Sequence, residues 1–309
     1  MATASSTPHL LGVDDVDDAR IDALFSRAEE HLRRAEAGEM PLATLRGRSI
    51  VQLFFEGSTR TRASFELAGK SLGAEVVHLD VASSSVGKGE TLSDTCRTLA
   101  AMRCDALVLR HPASGAAQFV AQKLPCSVIN AGDGMHEHPT QALLDAFTLK
   151  RKLGRVRGLK VSICGDILHS RVARSNARLL QRLGNEVRLV GPAPLLPRAF
   201  AGLGYTLCES LEAAIEGCDV LMVLRLQRER LSEGFLPTLS DYARAFGVRE
   251  ARLAAQPNLL VMHPGPINRG VEIADSVADG GRSLILQQVE SGVFMRMAIL
   301  EWLLGETLH

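Results

Sequence analysis

The sequence predicts an α/β protein with two similar doubly wound domains, each built on a parallel sheet and joined by helices. Three observations predict this fold. Strand-like and helix-like segments alternate along the chain, the alternation starts again near residue 155, and 309 residues are enough for two cores. Short apolar runs separated by amphipathic helices are typical of βαβ units, whose strands are parallel.

The first half of the chain contains four predicted strands. Apolar runs closed by Arg110 and Gly132 indicate buried strands. The first helix is predicted by apolar residues at helical spacing, among them Ile21, Leu24 and Phe25. The strands are predicted at 49–55, 74–80, 105–110 and 126–132, and the helices at 15–37, at 60–72, from Thr91 or Ser93 to Met102, and at 138–153.

The second half repeats the pattern. A run such as "DVLMVLR" (219–225) predicts a buried strand, and the apolar spacing after residue 283 predicts a long closing helix. The strands are predicted at 158–166, 185–192, 219–225 and 258–266, and the helices at 170–184, 210–218 and 283–306.

Composition excludes several classes of function. Lys plus Arg and Asp plus Glu both total 35, so the charge balance gives no sign of a nucleic acid or membrane partner. No apolar run reaches the ~18 residues of a transmembrane helix, and "MATASSTPHL" lacks the pattern of a signal peptide. The six cysteines are scattered without a CxxC pair, which is typical of reduced thiols. We therefore expect a cytoplasmic protein.

The segment "FFEGSTRTRASFE" (54–66) places hydroxyls and guanidiniums directly after a buried strand. Backbone N–H groups at a helix N-terminus and an arginine fork suit a phosphate group. The alternative is that Ser58 or Thr59 only caps the helix and that Arg60 is solvated. The anion site is favoured because polar residues with matching chemistry follow the equivalent strands of the first half, namely Arg110, His138 and Gln141.

Basic and amide side chains follow the strands of the second half. Arg171, Arg225 and Gln227 at one sheet edge would suit a small dicarboxylate, although Arg225 alone could simply extend to water. The turn "GDILHS" lacks a glycine triad, which disfavours a dinucleotide site. Lys88, in a Ser/Gly-rich loop, is by composition alone a solvated charge.

Seven motifs together resemble those of the aspartate/ornithine carbamoyltransferase family over nearly the whole chain. They are "FFEGSTRTRASFE", "SSSVGKGETLSDT", "LRHPASGAA", "INAGDGMHEHPTQALLD", "GDILHSRVARSN", "RLQRER" and "MHPGPINRGVEI". The resemblance implies transfer of the carbamoyl group of carbamoyl phosphate to an amine. The reading "HPGP", where ornithine enzymes carry an "HCLP"-type segment, implies that L-aspartate is the acceptor.

The resemblance also implies site residues. The implied catalytic residues are Arg60, Thr61, Lys88, Arg110 and His138. Carbamoyl phosphate is assigned to Ser58, Thr59, Arg60, Thr61, Arg110, His138, Gln141, Pro264 and Gly265. Aspartate is assigned to Ser85, Lys88, Arg171, Arg225, Gln227, Gly265 and Pro266. The implied carbamoyl phosphate-binding domain is 1–142 with 286–309, and the implied aspartate-binding domain is 143–285.

In the family, the loop with Ser85 and Lys88 reaches the site of a neighbouring subunit, so the resemblance implies a homotrimer with shared sites. It implies no cofactor and no metal. Which serine of 83–85 enters that site stays open, as does the presence of regulatory or dihydroorotase-like chains. Gly57 replaces the usual proline, which removes a fixed φ angle. A different amine acceptor and a non-catalytic paralogue remain alternatives.

Overall fold

The structure is a computed structural model that describes residues 7–80, 89–226 and 238–305. The chain divides into two compact units, Met1–Leu144 with Glu290–His309 (unit 1) and Asp145–Val289 (unit 2). Within the described ranges, no helix is both long enough and apolar enough to cross a membrane.

Unit 1 contains a four-stranded sheet in the order β2-β1-β3-β4, and every neighbouring pair is parallel. Its strands are β1 (Ser49–Phe54), β2 (Glu75–Asp80), β3 (Ala106–His111) and β4 (Ser127–Asp133). Its helices are α1 (Asp18–Glu36), α2 (Thr59–Ser71), α3 (Leu92–Ala101) and α4 (Ala116–Ala121), and a 3-10 helix covers Val13–Asp15.

Unit 2 contains a five-stranded parallel sheet in the order β7-β6-β5-β8-β9. Its strands are β5 (Lys160–Cys164), β6 (Glu186–Val190), β7 (Thr206–Cys208), β8 (Val220–Val223) and β9 (Leu260–Met262). Its helices are α6 (Arg171–Arg182), α7 (Leu211–Ile215), α8 (Leu239–Ala245), α9 (Glu250–Leu253) and α10 (Asp275–Ala278), with 3-10 helices at Ala193–Leu195 and Arg198–Leu203.

Two further helices, α5 (Pro139–Leu153) and α11 (Ile285–Leu304), each contain a boundary between the units. The α/β class, the two parallel sheets and the joining helices are therefore confirmed. Both sheets have buried central strands, as expected when helices cover both faces of a parallel sheet. In unit 1, Leu53 of β1 and Leu109 of β3 share a core with Leu99 of α3. In unit 2, Val223 and Val261 pack in an equivalent core.

Several short elements were not predicted, namely α4, β7, α8, α9 and α10. Each has between three and seven residues, which is too few for a helical or alternating pattern to stand out from the surrounding loop. The start of α3 is settled by its cap, because the Thr91 hydroxyl accepts a hydrogen bond from the Asp94 N–H group.

A buried carboxylate joins α11 to α1 within unit 1. Glu301 accepts hydrogen bonds from Arg27, from His31 Nε2 at 2.9 Å and from the Thr44 hydroxyl at 2.6 Å. Burial alone would raise the pKa of Glu301, but these hydrogen bonds lower it to about 2. The ionised form is thus strongly favoured by the folded protein.

We expect Glu301→Ala to reduce the free energy of unfolding at neutral pH by about 3 kcal/mol, because it leaves the buried His31 and the partly buried Arg27 without their shared acceptor. A carboxyl with a lowered pKa stabilises the fold above its ordinary value of 4.5 and loses that contribution as the pH falls towards 2. Denaturant titrations should therefore show the wild-type advantage shrinking below about pH 4.5. Glu66→Ala, which removes solvent-accessible pairs with Lys70 and His78, is the control and should change little. A pH-independent difference would contradict this assignment.

Candidate functional site

The carboxyl ends of β1, β3 and β4 lie at one edge of the unit 1 sheet. Phe54 is paired with Arg110, and His111 is paired with Asp133. Segments that follow these strands therefore begin at the same edge, which is where ligands bind in open α/β sheets. The structure brings residues 58–61, Arg110 and the start of α5 to this edge, as the sequence analysis predicted.

The turn between β1 and α2 presents a helix N-terminus and an arginine. Ser58 is the N-cap residue, and its side chain makes no capping hydrogen bond. Thr59 and Arg60 are exposed, whereas Thr61 is buried. Partial desolvation lowers the pKa of Arg60 from its ordinary value of 12.5. The group remains protonated at neutral pH, and an anion that binds there would compensate for the desolvation. Gly57 does not have a positive φ angle, so its backbone does not require glycine.

Arg110 is held against neighbouring strand ends at this edge. Its Nη1 donates to the Ala131 carbonyl at 3.3 Å, and its Nε lies 3.5 Å from Glu56 Oε2. The backbone carbonyl of Arg110 accepts the Phe55 N–H group at 2.9 Å. The guanidinium is thus oriented before any ligand binds, which reduces the entropy lost on binding.

His138 lies at the mouth of α5. Its side chain is buried, and its carbonyl accepts the N–H groups of Gln141 at 3.0 Å and Ala142 at 3.3 Å. Pro139 is the first residue of the helix, a position where its missing N–H group costs nothing. Gln141, in the first turn of α5, is also buried, so both predicted residues lie at the N-terminal end of this helix.

Asp133 shapes the loop that carries His138, and the sequence analysis did not identify it. Its carboxylate is buried and accepts the N–H groups of Gly115 at 2.6 Å and Glu137 at 3.0 Å. The side-chain amide of Asn130 donates to the same group at 2.8 Å. The loop is thereby fixed at the residue directly before His138. An aspartate between two glycines after a buried strand was the available signal.

Gly134 allows this loop to pass close to the chain near Ser114. Its φ angle is +48°, in the left-handed region. A Cβ atom there would lie 2.4 Å from Ser114 Oγ and 2.6 Å from its backbone nitrogen. Only glycine fits this approach.

The equivalent edge of the unit 2 sheet carries the second group of predicted residues. Cys164 is paired with Val223, and Met222 with Met262, so the ends of β5, β8 and β9 lie side by side. Arg171 is the first residue of α6, directly after its N-cap Ser170, and is buried. Arg225, two residues after β8, is half-buried.

The turn before Arg171 is also fixed by a buried carboxylate. Asp166 Oδ1 accepts the His169 N–H group at 3.0 Å, and His169 Nδ1 lies 3.0 Å from the same oxygen. The Ser170 hydroxyl accepts the Ala173 N–H group at 3.1 Å, which caps α6. Arg171 therefore begins a helix whose position relative to β5 is set by hydrogen bonds.

The segment His263 to Pro266 follows β9. His263 is buried, Pro264 and Gly265 are half-buried, and Pro266 is exposed. His263 Nδ1 accepts the Gly265 N–H group at 2.9 Å. Gly265 has a φ angle of +67°, which favours glycine. Three predicted site residues, Ser85, Lys88 and Gln227, lie outside the described residues.

Each unit thus presents a distinct chemistry at its sheet edge. Unit 1 offers a helix N-terminus, two guanidiniums and an imidazole, which suit a phosphate group and a polarised carbonyl oxygen. Unit 2 offers two guanidiniums and a backbone segment with a left-handed glycine, which suit carboxylates.

Comparison with known proteins agrees with this division. Residues 8–151 match the model of the aspartate/ornithine carbamoyltransferase carbamoyl-P binding domain, and residues 157–303 match that of the Asp/Orn binding domain. Two relatives are named aspartate carbamoyltransferase catalytic subunit. The one from Chelativorans sp. is 56% identical and covers 96% of this chain and 93% of its own. The one from Methylorubrum extorquens is 54% identical and covers 97% and 96%.

Solved structures agree with these relatives. Aspartate transcarbamoylase from Trypanosoma cruzi in complex with N-(phosphonacetyl)-L-aspartic acid has a TM-score of 0.89 at 36% identity and covers 98% of both chains. The same enzyme with carbamoyl phosphate and aspartate has a TM-score of 0.88 at 35% identity, covering 97% of this chain and 98% of that one. The two family models together, and each of these relatives, cover nearly the whole chain. The chain therefore belongs to the aspartate/ornithine carbamoyltransferase family.

Proposed function

We propose that this chain transfers the carbamoyl group of carbamoyl phosphate to the amine of L-aspartate, giving N-carbamoyl-L-aspartate and phosphate, in pyrimidine biosynthesis. The observation that carries the proposal is that each sheet ends in its own set of cationic donors. The chain is also 54–56% identical to two aspartate carbamoyltransferase catalytic subunits. The "HPGP" segment supports aspartate as the acceptor.

In unit 1, we assign carbamoyl phosphate to the α2 N-terminus and its neighbours. Ser58, Thr59 and Arg60 hold the phosphate oxygens through N–H groups, hydroxyls and the guanidinium. Thr61, Arg110 and His138 donate to the carbonyl oxygen. Gln141 binds the carbamoyl amide, together with the backbone of Pro264 and Gly265.

In unit 2, we assign L-aspartate to the sheet edge with two arginines. Arg171 binds the α-carboxylate, and Arg225 with Gln227 binds the side-chain carboxylate, as forked donors do. The backbone at Gly265 and Pro266 completes this group. The two implied domains, 1–142 with 286–309 and 143–285, are proposed as the carbamoyl phosphate-binding and aspartate-binding domains.

The reaction requires an unprotonated amine. Its nitrogen attacks the carbonyl carbon, a C–N bond forms, and the carbonyl oxygen becomes an oxyanion. Donors at this oxygen are typically worth about 3–4 kcal/mol each in the transition state. The oxyanion then collapses, the C–O bond to phosphate breaks, and the phosphate leaves with that electron pair. The amine proton goes to the departing phosphate.

Incubation of the purified chain with carbamoyl phosphate and L-aspartate tests this function. We expect N-carbamoyl-L-aspartate by mass spectrometry, with one phosphate released per product molecule. L-ornithine in place of aspartate should give no product, because a second ammonium would face Arg225. Turnover of ornithine but not aspartate, or of neither, would overturn the proposal.

We further propose a cytoplasmic homotrimer with active sites shared between chains. Six free thiols, five of them buried, support a reducing compartment. The name catalytic subunit, carried by the relatives, favours an assembly. In this proposal Ser85 and Lys88 of one chain contact the aspartate bound by the next.

Arg60→Ala should reduce kcat by about 10²–10³-fold, because the transition state loses a charged donor while the fold loses no core contact. Steady-state phosphate release measures the effect. Arg62→Ala is a matched control in the same helical turn, also exposed, and should stay within about threefold of wild type. Equal effects of the two substitutions would remove Arg60 from the site.

Arg225→Gln should raise the KM for L-aspartate by about 10–100-fold, since a charge-assisted pair with a carboxylate is lost. The KM for carbamoyl phosphate should remain nearly unchanged, because its phosphate is assigned to unit 1. Arg244→Gln, at an exposed arginine of the same unit paired with Asp241, is the control. A parallel rise in both KM values would contradict the division between the units.

Mixed oligomers test the shared site. Lys88→Ala and Arg60→Ala chains should each be nearly inactive. After dissociation, equal mixing and random reassembly, about one quarter of the sites would draw both intact residues from adjacent chains of a closed ring. Activity should recover to that fraction, with mixed trimers verified by native mass spectrometry. Mixed trimers without activity would show that Lys88 serves its own chain.

A further inference from the structure

Another buried carboxylate, Glu272, lies in unit 2 outside the proposed substrate contacts. Its side chain is fully buried. Among the described residues, Oε2 has no hydrogen-bond partner. Oε1, in contrast, has two: it accepts the Asn268 N–H group and lies 3.3 Å from His263 Nε2. Burying a carboxylate with one unsatisfied oxygen costs free energy of folding. We therefore consider what the two hydrogen bonds to Oε1 contribute.

The bond between Glu272 and His263 fixes the His263 ring and, through the ring, the Pro264–Gly265 peptide. Nδ1 of His263 accepts the Gly265 N–H group at 2.9 Å, so Nδ1 carries no proton and Nε2 is the donor to Glu272. A trans peptide is planar, with its N–H and C=O groups on opposite sides. The Gly265 N–H group points at the buried ring, and the Pro264 carbonyl therefore points away from it. Pro264 is one of the proposed substrate contacts.

The bond between Glu272 and Asn268 connects Glu272 to the chain that follows β8. Asn268 donates its backbone N–H group to Glu272 Oε1, and its side-chain Nδ2 donates to the Leu226 carbonyl at 3.2 Å. Leu226 is fully buried and directly follows Arg225. Glu272 therefore holds, through Asn268, the backbone next to Arg225.

We infer that Glu272 is a positioning residue for aspartate: it sets the Pro264–Gly265 peptide through His263 and the backbone after Arg225 through Asn268. This inference rests on the proposed function. Glu272 contacts His263 and Asn268, and through them it acts on two parts of the aspartate group: the backbone at Gly265 and the chain next to Arg225. A carboxylate serves here because one oxygen with two lone pairs can accept from both donors at once.

Glu272→Ala should raise the KM for L-aspartate by about 10–100-fold, since the bonds to a charged acceptor are lost. The KM for carbamoyl phosphate should rise less, by at most about threefold, because the Pro264–Gly265 backbone is assigned only to its carbamoyl group, whereas its phosphate is assigned to unit 1. Glu272→Gln keeps an acceptor oxygen and should recover most of the loss. Glu250→Ala, at an exposed glutamate of the same unit beside Arg282, is the matched control. A merely structural role would lower the melting temperature and leave the ratio of the two KM values unchanged.

Asn268→Ala tests the second branch and decides the question if Glu272→Ala does not fold. It removes the bond to the Leu226 carbonyl and keeps the backbone N–H group, so the KM for aspartate should rise while the HPGP segment is unaffected. In the double variant with Glu272→Ala, the rise should be smaller than the product of the single effects, because both act on one path. Two results would overturn the inference. One is a wild-type aspartate KM both in Asn268→Ala and in a folded variant at Glu272. The other is a double variant whose effect on the aspartate KM equals the product of the single effects.

The wild-type protein separates this inference from the proposed function. If wild type forms no N-carbamoyl-L-aspartate, the function itself fails. If wild type is active and folded Glu272→Ala has the wild-type aspartate KM, only the positioning role fails. Calorimetric titration with N-(phosphonacetyl)-L-aspartate adds a readout without turnover, and Glu272→Ala should bind it more weakly than Glu250→Ala does.

Discussion

The parallel arrangement of both sheets is the constraint on which the rest of the structure depends. In a parallel sheet every strand ends at the same edge, so each loop that leaves a carboxyl end adds its side chains to one surface. Unit 1 collects Arg60, Arg110 and His138 in this way, and unit 2 collects Arg171 and Arg225. The cores contribute buried strands, and the chemistry lies in the loops. This explains why two units with similar sheets offer different donors.

Polar loops at such an edge need internal support, and buried carboxylates provide it. Asp133, Asp166 and Glu272 are all buried, and each accepts at least one backbone N–H group from its own loop. A carboxylate can accept several hydrogen bonds, and charge-assisted bonds are roughly twice as strong as neutral ones. Each group therefore holds a short polar segment in one conformation, which limits the entropy that substrate binding must still remove.

The long helices and every strand except the three-residue β7 could be predicted from the sequence, because their apolar runs and helical spacing extend over several residues. The positions of Arg60 and His138 at the edge of the sheet could also be predicted, since each stands in a polar turn after a predicted strand. Their contact with substrate stays a prediction. Asp133 and Glu272 could not, because an acidic residue in a loop looks the same in sequence whether it is solvated or buried. Only the folded chain shows which N–H groups such a carboxylate accepts.

The difference between solvated and buried carboxylates also explains how a chain without net charge can bind two anions. With 35 basic and 35 acidic residues, the protein has no net charge that would attract an anionic substrate. The preference for anions must then depend on which charges at the sheet edges are not compensated by neighbouring groups. The negative charges of Asp133 and Asp166 are compensated by the N–H dipoles directed at them, which reduces their effect on a bound anion. The arginines at the same edges keep their positive charges, and one of them, Arg110, has Nε 3.5 Å from Glu56 Oε2. Local hydrogen bonding to the acids, rather than an excess of basic residues, thus gives these edges their cationic character.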